Sequence, residues 1–453
     1  MKFNNFFFRC LIFLFFLTKA NFAALPETFS MGPVMSASSG AGSASINDAF
    51  SLYYNVAGLT YPGETDSAQE LKNLISLGIF YQISDFHIYT EKATKTSIYN
   101  MEKGQDVPSY PGQNIGAVLD LRDFFAIPRS LPVRWGIAVS LFSLSTDLAQ
   151  LNIVSQESYN FLNAGRNIAR PSIITGLSVM PIKNRLSLGI GTSVMVNGSA
   201  DIKLDHISLD TAVQPQSETN IQIFLKPKPV FGIMYRQPMN SKMSLSGGIS
   251  YRAKTQAQVD LDITAELPVI QPVVYAKIYD QELTYFTPHT IVWGWQFQFL
   301  QYIFMLDFET QLWQNFQPSI TRQKFENDPG LNNIFIIRTG FETPLNFIFL
   351  KSLELSLRTG YAFVPSYTPS QNGPANHLDN DKHIVSFGFR RKFTNFLLLK
   401  KQITFSFSFQ WQHWKKRNTY KTDYFPVSDG SAQPNYEYYG NIYAFQFGSE
   451  IQL

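Results

Sequence analysis

The chain has 453 residues, of which 15% are aromatic and only 16% are charged, against about 25% charged residues in a typical soluble domain. Its hydrophobic fraction is an ordinary 45%, and after residue 24 no long apolar run occurs. That excludes a bundle of membrane helices, each of which needs about 20 consecutive apolar residues. A chain rich in aromatics whose hydrophobicity never accumulates in one place is typical of alternating strands, and it predicts a membrane β-barrel.

Residues 1–24 have the pattern of a secretory signal peptide. Lys2 and Arg9 precede an apolar stretch at Cys10–Leu17, and the small residues Ala20, Ala23 and Ala24 follow it. The chain carries 37 basic and 34 acidic residues, and three of the basic ones belong to this segment, so the remainder is neutral. Neutrality argues against nucleic acid as a partner. The single cysteine, Cys10, also lies here, so we expect no disulfide and no cysteine-based metal site.

Residues 25–70 differ in composition from the rest of the chain. Gly, Ala and Ser dominate residues 35–45, and apolar residues such as Phe50 and Leu52 follow. A flexible linker is one interpretation of small residues, but the apolar spacing favours an ordered segment. Because small residues let backbones pack closely, we expect a compact plug here, with the barrel formed by residues 71–453.

Beyond the plug segment, apolar and polar residues alternate with a period of two, which indicates strands with two different faces. In residues 403–412, one Ile, three Phe and one Trp alternate with Thr, Ser and Gln. A soluble sandwich also alternates, but lipid outside and a polar lumen inside explain both faces at once. The pattern predicts an all-β, antiparallel barrel of about fourteen strands, at residues 72–91, 112–126, 131–145, 171–182, 185–204, 221–237, 242–263, 284–299, 301–317, 333–345, 352–364, 383–398, 401–417 and 441–453.

The connections between these strands alternate between short turns and long loops. Short periplasmic turns and long external loops are expected of an outer-membrane barrel whose termini are both periplasmic. We therefore expect a monomeric barrel in the outer membrane of a diderm bacterium, surrounded by outer-membrane lipid. The long loops are residues 92–111, 146–170, 205–220, 264–283, 318–332, 365–382 and 418–440.

The second long loop has apolar residues at spacings of three to four, which is typical of one or two short amphipathic helices. Leu148, Leu151, Val154 and Phe161 belong to this pattern. The loop could pack over the mouth of the barrel, or it could form a hydrophobic groove that collects an apolar ligand. We take these four residues as candidate ligand-binding residues.

Charged residues on the polar face of the strands are a second candidate site. They could pair with one another and hydrogen-bond the plug, because a wide barrel must fill or hydrate its interior. Alternatively one cation, Arg252 or Lys254, binds the carboxylate of a fatty acid through a charge-assisted hydrogen bond. The full set is Asp120, Arg122, Arg134, Arg252, Lys254, Asp307, Glu309, Arg338, Glu342, Glu354, Arg358, Arg390 and Glu450.

No motif indicates an enzyme. The chain has six histidines, none in a Gly-x-Ser-x-Gly or His-Glu-x-x-His setting. His377 and His383 flank Asp379 and Asp381, but a hydrated junction between loop and strand explains this spacing better than a metal cluster. We expect no catalytic residue, no metal site and no cofactor.

Several motifs, taken in order along the strand pattern, resemble one known family. They are the small-residue stretch at residues 40–48, Asn55-Val-Ala-Gly-Leu59, Ser187-Leu-Gly-Ile-Gly191, Gly247-Gly-Ile-Ser-Tyr-Arg252 and Pro288-His-Thr-Ile-Val-Trp-Gly294. This set resembles the FadL-type outer-membrane transporters of long-chain fatty acids and other hydrophobic compounds.

The resemblance implies a fourteen-stranded barrel plugged by an N-terminal hatch that includes Asp48, Asn55, Val56 and Ala57. Val56 stands where the family usually has proline. An external apolar groove would capture the hydrophobic ligand and pass it to a site inside the barrel. A hatch rearrangement would then release it sideways near the third strand, residues 131–145. A passive porin and a partner in protein export or surface assembly remain open as alternatives.

Overall fold

The computed structural model describes residues 26–61, 72–92, 100–103, 109, 111–141, 172–205, 216–267, 274–316, 330–345, 354–370, 377–393, 401–419 and 435–453. The predicted signal peptide lies outside these residues. So does the candidate loop with Leu148, Leu151, Val154 and Phe161.

Seventeen strands lie within the described residues, and their pairing closes a barrel. They are β1 Leu74–Lys92, β2 Asn100–Lys103, β3 Pro111–Asp120, β4 Val133–Leu141, β5 Ser172–Ile182, β6 Leu186–Asp205, β7 Gln216–Asn240, β8 Met243–Arg252, β9 Thr255–Leu267, β10 Val274–Thr287, β11 His289–Phe299, β12 Tyr302–Leu312, β13 Ile334–Pro344, β14 Leu355–Val364, β15 Lys382–Phe393, β16 Ile403–Thr419 and β17 Asn435–Gln452.

Fourteen of these strands form the wall, each antiparallel to its neighbours, in the order β1, β3 to β8, and β11 to β17. The last strand pairs with the first from Leu74 opposite Gln452 to Glu91 opposite Asn435, which closes the ring. The predicted number of strands is therefore confirmed. We call the end of the barrel with the short connections, such as residues 183–185, the turn end, and the opposite end the loop end.

The remaining strands extend the wall at the loop end. β2 pairs with β1, and β9 and β10 form a hairpin whose first strand also pairs in parallel with residues 198–204 of β6. The predicted strand at 242–263 is thus two strands, β8 in the wall and β9 beyond it. The apolar and polar residues keep alternating from β8 into β9, because both strands belong to a sheet. The sequence pattern therefore does not reveal that the pairing partner changes from β7 to β10.

The two faces of the wall differ as predicted. On β15, Val385, Phe387 and Phe389 face outward and are 39–42% exposed, whereas Ser386 between them is buried in the lumen. An apolar outer band over a polar interior is the pattern of a barrel that spans a membrane.

No described helix has the length and apolar character needed to cross a membrane.

Residues 26–61, which we call the hatch, fill the lumen. They form three helices of four residues, α1 Pro26–Phe29, α2 Pro33–Ser36 and α3 Ser51–Tyr54, and a 3-10 helix at Val56–Leu59. Helices this short are not stable alone, because the first turn costs more than it gains. Their order therefore comes from packing against the wall, where most hatch side chains are buried.

The wall meets the hatch through glycines. A Cβ at Gly360 would lie 2.2 Å from the carbonyl carbon of Ser38, and one at Gly294 would lie 2.0 Å from Oγ of Ser43. Such distances are too short for real atoms, so only glycine admits the hatch there. A Cβ would also come within 3.0 Å of a hatch atom at Gly116, Gly136, Gly176, Gly189, Gly232, Gly248, Gly388 and Gly448.

These ten glycines, which we call the glycine ring, lie at a common level around the barrel. Several are direct partners on neighbouring strands: Gly136 with Gly176, Gly189 with Gly232, and Gly248 with Gly294. The hatch backbone therefore runs against the bare backbone of the wall along most of its circumference.

The glycine ring predicts that a single methyl group loosens the hatch. In Gly360→Ala, the new Cβ clashes with the backbone of Ser38 and cannot be relieved by a rotamer change. We expect overpacking to destabilise the docked hatch by about 1–3 kcal/mol. If opening of the hatch limits exchange, the amides of residues 34–43 should then exchange roughly five- to 150-fold faster. Hydrogen exchange with mass spectrometry measures this.

The matched control is Gly247→Ala, where the nearest atom to the new Cβ is a Trp295 ring carbon 3.9 Å away on the outer face. Its hatch should exchange at the wild-type rate. Equal exchange in Gly360→Ala and Gly247→Ala would contradict the role of the ring.

Candidate functional site

Four arginines of the wall hold the hatch by its backbone carbonyls. They belong to β4, β8, β13 and β14, so the hatch is held from several sides. Carbonyls at the ends of short helices have no partner inside the helix, and a guanidinium donor gives them a charge-assisted hydrogen bond. Each donates from Nη1: Arg134 to Leu59 (2.7 Å), Arg252 to Tyr53 (2.9 Å), Arg338 to Ser39 (2.9 Å) and Arg358 to Val34 (3.3 Å).

Three of these arginines are also paired with carboxylates of the wall. Glu309 accepts from Nε of Arg338 at 3.0 Å and lies 3.9 Å from Nη2 of Arg252. Glu342 accepts from Nε of Arg358 at 3.0 Å. All five side chains are largely buried, and a buried ion needs such partners. The expected pairing of the polar-face charges is present for these five residues.

Other members of the predicted set lie elsewhere. Arg390 and Glu450 are 3.9 Å apart near the turn end, and Arg122 pairs with Asp120 just beyond the end of β3. Glu354 does not face the lumen: it is exposed in the turn before β14, with φ 44°. It was placed in the lumen because the strand was predicted to begin at residue 352, whereas β14 begins at Leu355.

Asp307 fixes a turn of the hatch. Its Oδ2 accepts the backbone N–H groups of Gly42 (3.0 Å) and Ser43 (2.9 Å), and Gly42 has φ 141°. A residue with a side chain is strained at that angle. The carboxylate thus binds two consecutive amides of a turn that only glycine adopts without strain.

Asn55 ties the hatch to itself and to the wall. Its Nδ2 donates to the carbonyls of Ser43 (3.0 Å) and Ile233 (3.2 Å), and its Oδ1 accepts from the N–H of Ala57 at the start of the 3-10 helix. Val56 is the first residue of that helix, a position that also suits proline because its N–H needs no partner there. The position therefore admits either residue.

Asp48 lies in a buried space at the turn end of about 280 Å³, open solvent included, which Arg390 and Glu450 also line. Its Oδ1 accepts the N–H of Phe50 at 2.8 Å. Burial, with a smaller contribution from the charge of Glu450, raises the pKa of Asp48 from 3.8 to about 7. The carboxyl is therefore half protonated near neutral pH.

Protonation of Asp48 should stabilise the docked hatch. Because its pKa is higher in the folded state, its contribution is complete below about pH 4, declines as the pH rises and is lost above about pH 7. We expect hatch amides 45–61, corrected for intrinsic exchange, to be better protected at pH 5 than at pH 8. In Asp48→Asn the difference should shrink sharply; an unchanged difference would contradict the assignment.

Arg252 and Lys254, the two candidate carboxylate ligands, occupy different environments. The guanidinium of Arg252 lies 4.3 Å from the ring centroid of Tyr53 and donates to the Tyr53 carbonyl. Lys254 lies between β8 and β9, where its backbone N–H donates to Nδ1 of His289 at 3.2 Å. Arg252 thus contacts the hatch and Glu309; binding of a ligand by either residue stays a prediction.

A chamber lies above the hatch in the loop end of the lumen. Tyr53, Arg252, Trp313, Arg338 and Tyr367 are among the residues that line it, and its empty space is about 930 Å³, part of it open to solvent. A second space of about 460 Å³ continues from it between the hatch and β11–β13.

The described cations of the chamber are paired with carboxylates. Its described basic residues are Arg252, Arg338 and Lys382. The first two share Glu309, and Nζ of Lys382 lies 2.7 Å from Asp379. Each of these cations therefore already has a carboxylate partner.

An inward-folded segment, residues 365–370, forms part of the chamber rim. The ring of Tyr367 stacks on Trp313 with centroids 3.9 Å apart, in a cluster that includes Phe286. Asp379 accepts the N–H of Tyr367 at 3.0 Å and binds Lys382. The segment is thus fixed to the barrel by aromatic packing and a buried carboxylate.

A hydrated junction between loop and strand was predicted around Asp379 and Asp381. The prediction is wrong for Asp379, because its side chain is buried, with 1% exposed, and the neighbouring Asn380 is fully buried. The amide of Asn380 donates to the carbonyls of Lys415 (2.7 Å) and Tyr438 (3.0 Å). Polar residues in a long loop usually indicate side chains that are exposed to water. Here the Asn380 side chain instead gives backbone carbonyls of β16 and β17 their hydrogen-bond donors. Leu378, apolar within this polar run and buried, was the available signal.

The wall is continuous at the third barrel strand, β4. It pairs with β3 from Leu141 to Arg134, and with β5 from Ser140 to Val133, without a register shift. The opening that the resemblance implied near this strand is not present in the described residues.

The wall, the hatch and the chamber define a plugged transmembrane β-barrel. Among solved structures, the chain is similar to a FadL homologue of Pseudomonas aeruginosa, at 12% identity and a TM-score of 0.56, over 96% of this chain and 100% of that one. It is also similar to the toluene transporter TodX of Pseudomonas putida, at 14% identity and a TM-score of 0.52, over 93% and 98%. At these identities the likeness shows the fold. No protein-family model and no curated protein matches the chain.

Proposed function

We propose that this protein carries hydrophobic small molecules across the outer membrane of a diderm bacterium, inward and without an energy source of its own. The observation that carries the proposal is the chamber at the loop end, closed below by a hatch that non-covalent contacts hold in place. The fold shared with a FadL homologue and a toluene transporter supports it. Long loops face the exterior in such barrels, so the chamber opens outward.

The route begins at the loop of residues 146–170, where Leu148, Leu151, Val154 and Phe161 would capture the ligand. From there it reaches the chamber, and a hatch rearrangement lets it pass. Moving the hatch breaks hydrogen bonds and packing contacts with the wall. Sideways release near β4, as the resemblance implies, would also require backbone pairs of that strand to separate, because its ladders are continuous.

The ligand is a long-chain fatty acid or an uncharged hydrophobic compound, and the chamber favours the uncharged class. A fatty-acid carboxylate would have to compete with Glu309 or Asp379 for its cation. Leaving one member of a buried pair without its partner is costly. An uncharged ligand leaves both pairs intact and gains from the aromatic residues of the chamber.

Conductance distinguishes this transporter from a passive porin. In planar bilayers the full chain should show little steady current, because the hatch fills the lumen. Deletion of residues 26–61, with the preceding segment kept for export, should give large stable steps, since a fourteen-stranded wall then encloses water. Equal currents from the two proteins would support the porin and contradict the plug.

Competition between an acid and an alcohol tests the ligand class. The purified protein is incubated with equal amounts of hexadecanoic acid and hexadecanol, and the bound fraction is analysed by mass spectrometry. We expect the alcohol to bind at least as well as the acid, in the wild type and in Arg252→Gln alike. A marked preference for the acid that disappears in Arg252→Gln would instead establish Arg252 as the carboxylate ligand.

The control variant is Arg134→Gln. Like Arg252, Arg134 donates to a hatch carbonyl, but it lies near the turn end and does not line the chamber. An effect seen equally in both variants reports a disturbed hatch, whereas an effect confined to Arg252→Gln reports the chamber.

A further inference from the structure

A row of polar side chains crosses the outer surface of the barrel at the loop end of β14–β17 and β1. His383 lies opposite Phe363 on one side and His413 on the other; His413 lies opposite Asn441, and Asn441 opposite Asp85. Direct register partners lie side by side along the hydrogen-bonding direction of a sheet. The row is therefore continuous from β15 across β16 and β17 to β1.

This row borders the apolar outer band. Next to His383 along β15, towards the turn end, come the outward residues Val385, Phe387 and Phe389, and next to His413 along β16 comes the exposed Trp411. Ile384 and Gln412, on the opposite face, are buried inside. The histidines thus point to the membrane side, at the depth where the acyl region gives way to lipid headgroups.

Two lysines join the row because β16 is irregular there. The register shifts between Trp414 and Arg417, so Lys415 and Lys416 are both exposed at the outer surface. Nζ of Lys416 lies 2.7 Å from Glu437, and Nζ of Lys415 lies 5.6 Å from the ring centroid of Phe363. No salt bridge of Lys415 is found within the described part of the chain.

The histidine rings are oriented by their neighbours. Nδ1 of His383 is 2.8 Å from the hydroxyl of Tyr361, and Nδ1 of His413 is 3.0 Å from Oδ1 of Asn441. The indole of Trp411 donates to the same Oδ1, which places the amide oxygen towards both rings. Within the described part of the chain these contacts engage Nδ1, and no contact of either Nε2 is found there.

We propose that His383, His413, Lys415 and Lys416, which we call the basic belt, bind the phosphate-bearing headgroup of a lipid in the outer leaflet. The acyl chains of that lipid lie along the aromatic band below. Charge complementarity supports this occupant: cationic and hydrogen-bonding groups stand directly above an apolar surface, which matches a lipid with an anionic head. The Asp85–His87 pair, 3.3 Å apart, borders the belt on β1.

The proposal rests on the membrane orientation and not on the transported ligand, so the uptake function can fail while the belt stands. The test uses the full chain purified in a neutral detergent. An acylated disaccharide with two phosphates, and the same lipid without phosphates, are titrated separately, and bound lipid is counted by native mass spectrometry. We expect the phosphorylated lipid to bind more tightly.

The combined variant His383→Gln, His413→Gln and Lys415→Gln should bind the phosphorylated lipid about tenfold more weakly or worse, which is a loss of about 1.4 kcal/mol. Lys415→Gln alone should show a smaller loss, and Lys415→Arg should restore binding. The control, Arg129→Gln with Lys242→Gln, removes two exposed cations at the turn end and should bind as the wild type does.

Three results overturn the proposal. One is equal binding of the two lipids, and another is wild-type affinity in the combined variant and in Lys415→Gln. The third is equally tight binding of the phosphorylated disaccharide without its acyl chains, which would make the belt a site for soluble anions. Heat-dependent gel mobility checks that each variant is folded, and the single variant remains informative if the combined one is not.

Discussion

The close approach of one backbone to another, hatch against wall, is the constraint on which the rest of the structure depends. The hatch is too short and too rich in small residues to build a core of its own, so it takes its order from the surface around it. That surface must be close enough for hydrogen bonds, which requires the glycine ring. Long side chains of the wall, arginines and glutamines among them, donate to hatch carbonyls, as Arg338 does to Ser39 and Gln412 does to Thr28.

The wall charges are paired within the wall as well as with the hatch. Glu309 stands between Arg338 and Arg252, and Glu342 pairs with Arg358, so these arginines keep a carboxylate if their hatch carbonyls withdraw. A lone buried charge would make withdrawal prohibitive. Pairing within the wall limits the cost to hydrogen bonds that water can replace, each of which contributes about 1.5–3 kcal/mol net when the donor is charged.

The strands and their number could be predicted from the sequence because a period of two and the lengths of connections are local properties. The plug could be predicted from the small residues at 35–45, but its contacts could not. Asp307 binds Gly42 across 265 positions of the chain, and no local pattern reveals that partner. Predictions failed where one pattern fits two environments: Glu354 alternates correctly yet lies in a turn, and Asp379 is polar yet buried.

The glycine ring has a consequence for the shape of the lumen. At that level the wall has no side chains on its inner surface at ten positions, so at those positions the wall fills none of the space that a displaced hatch would leave. The level at which the closed barrel is most tightly packed is therefore the level at which the open barrel would have its widest bore.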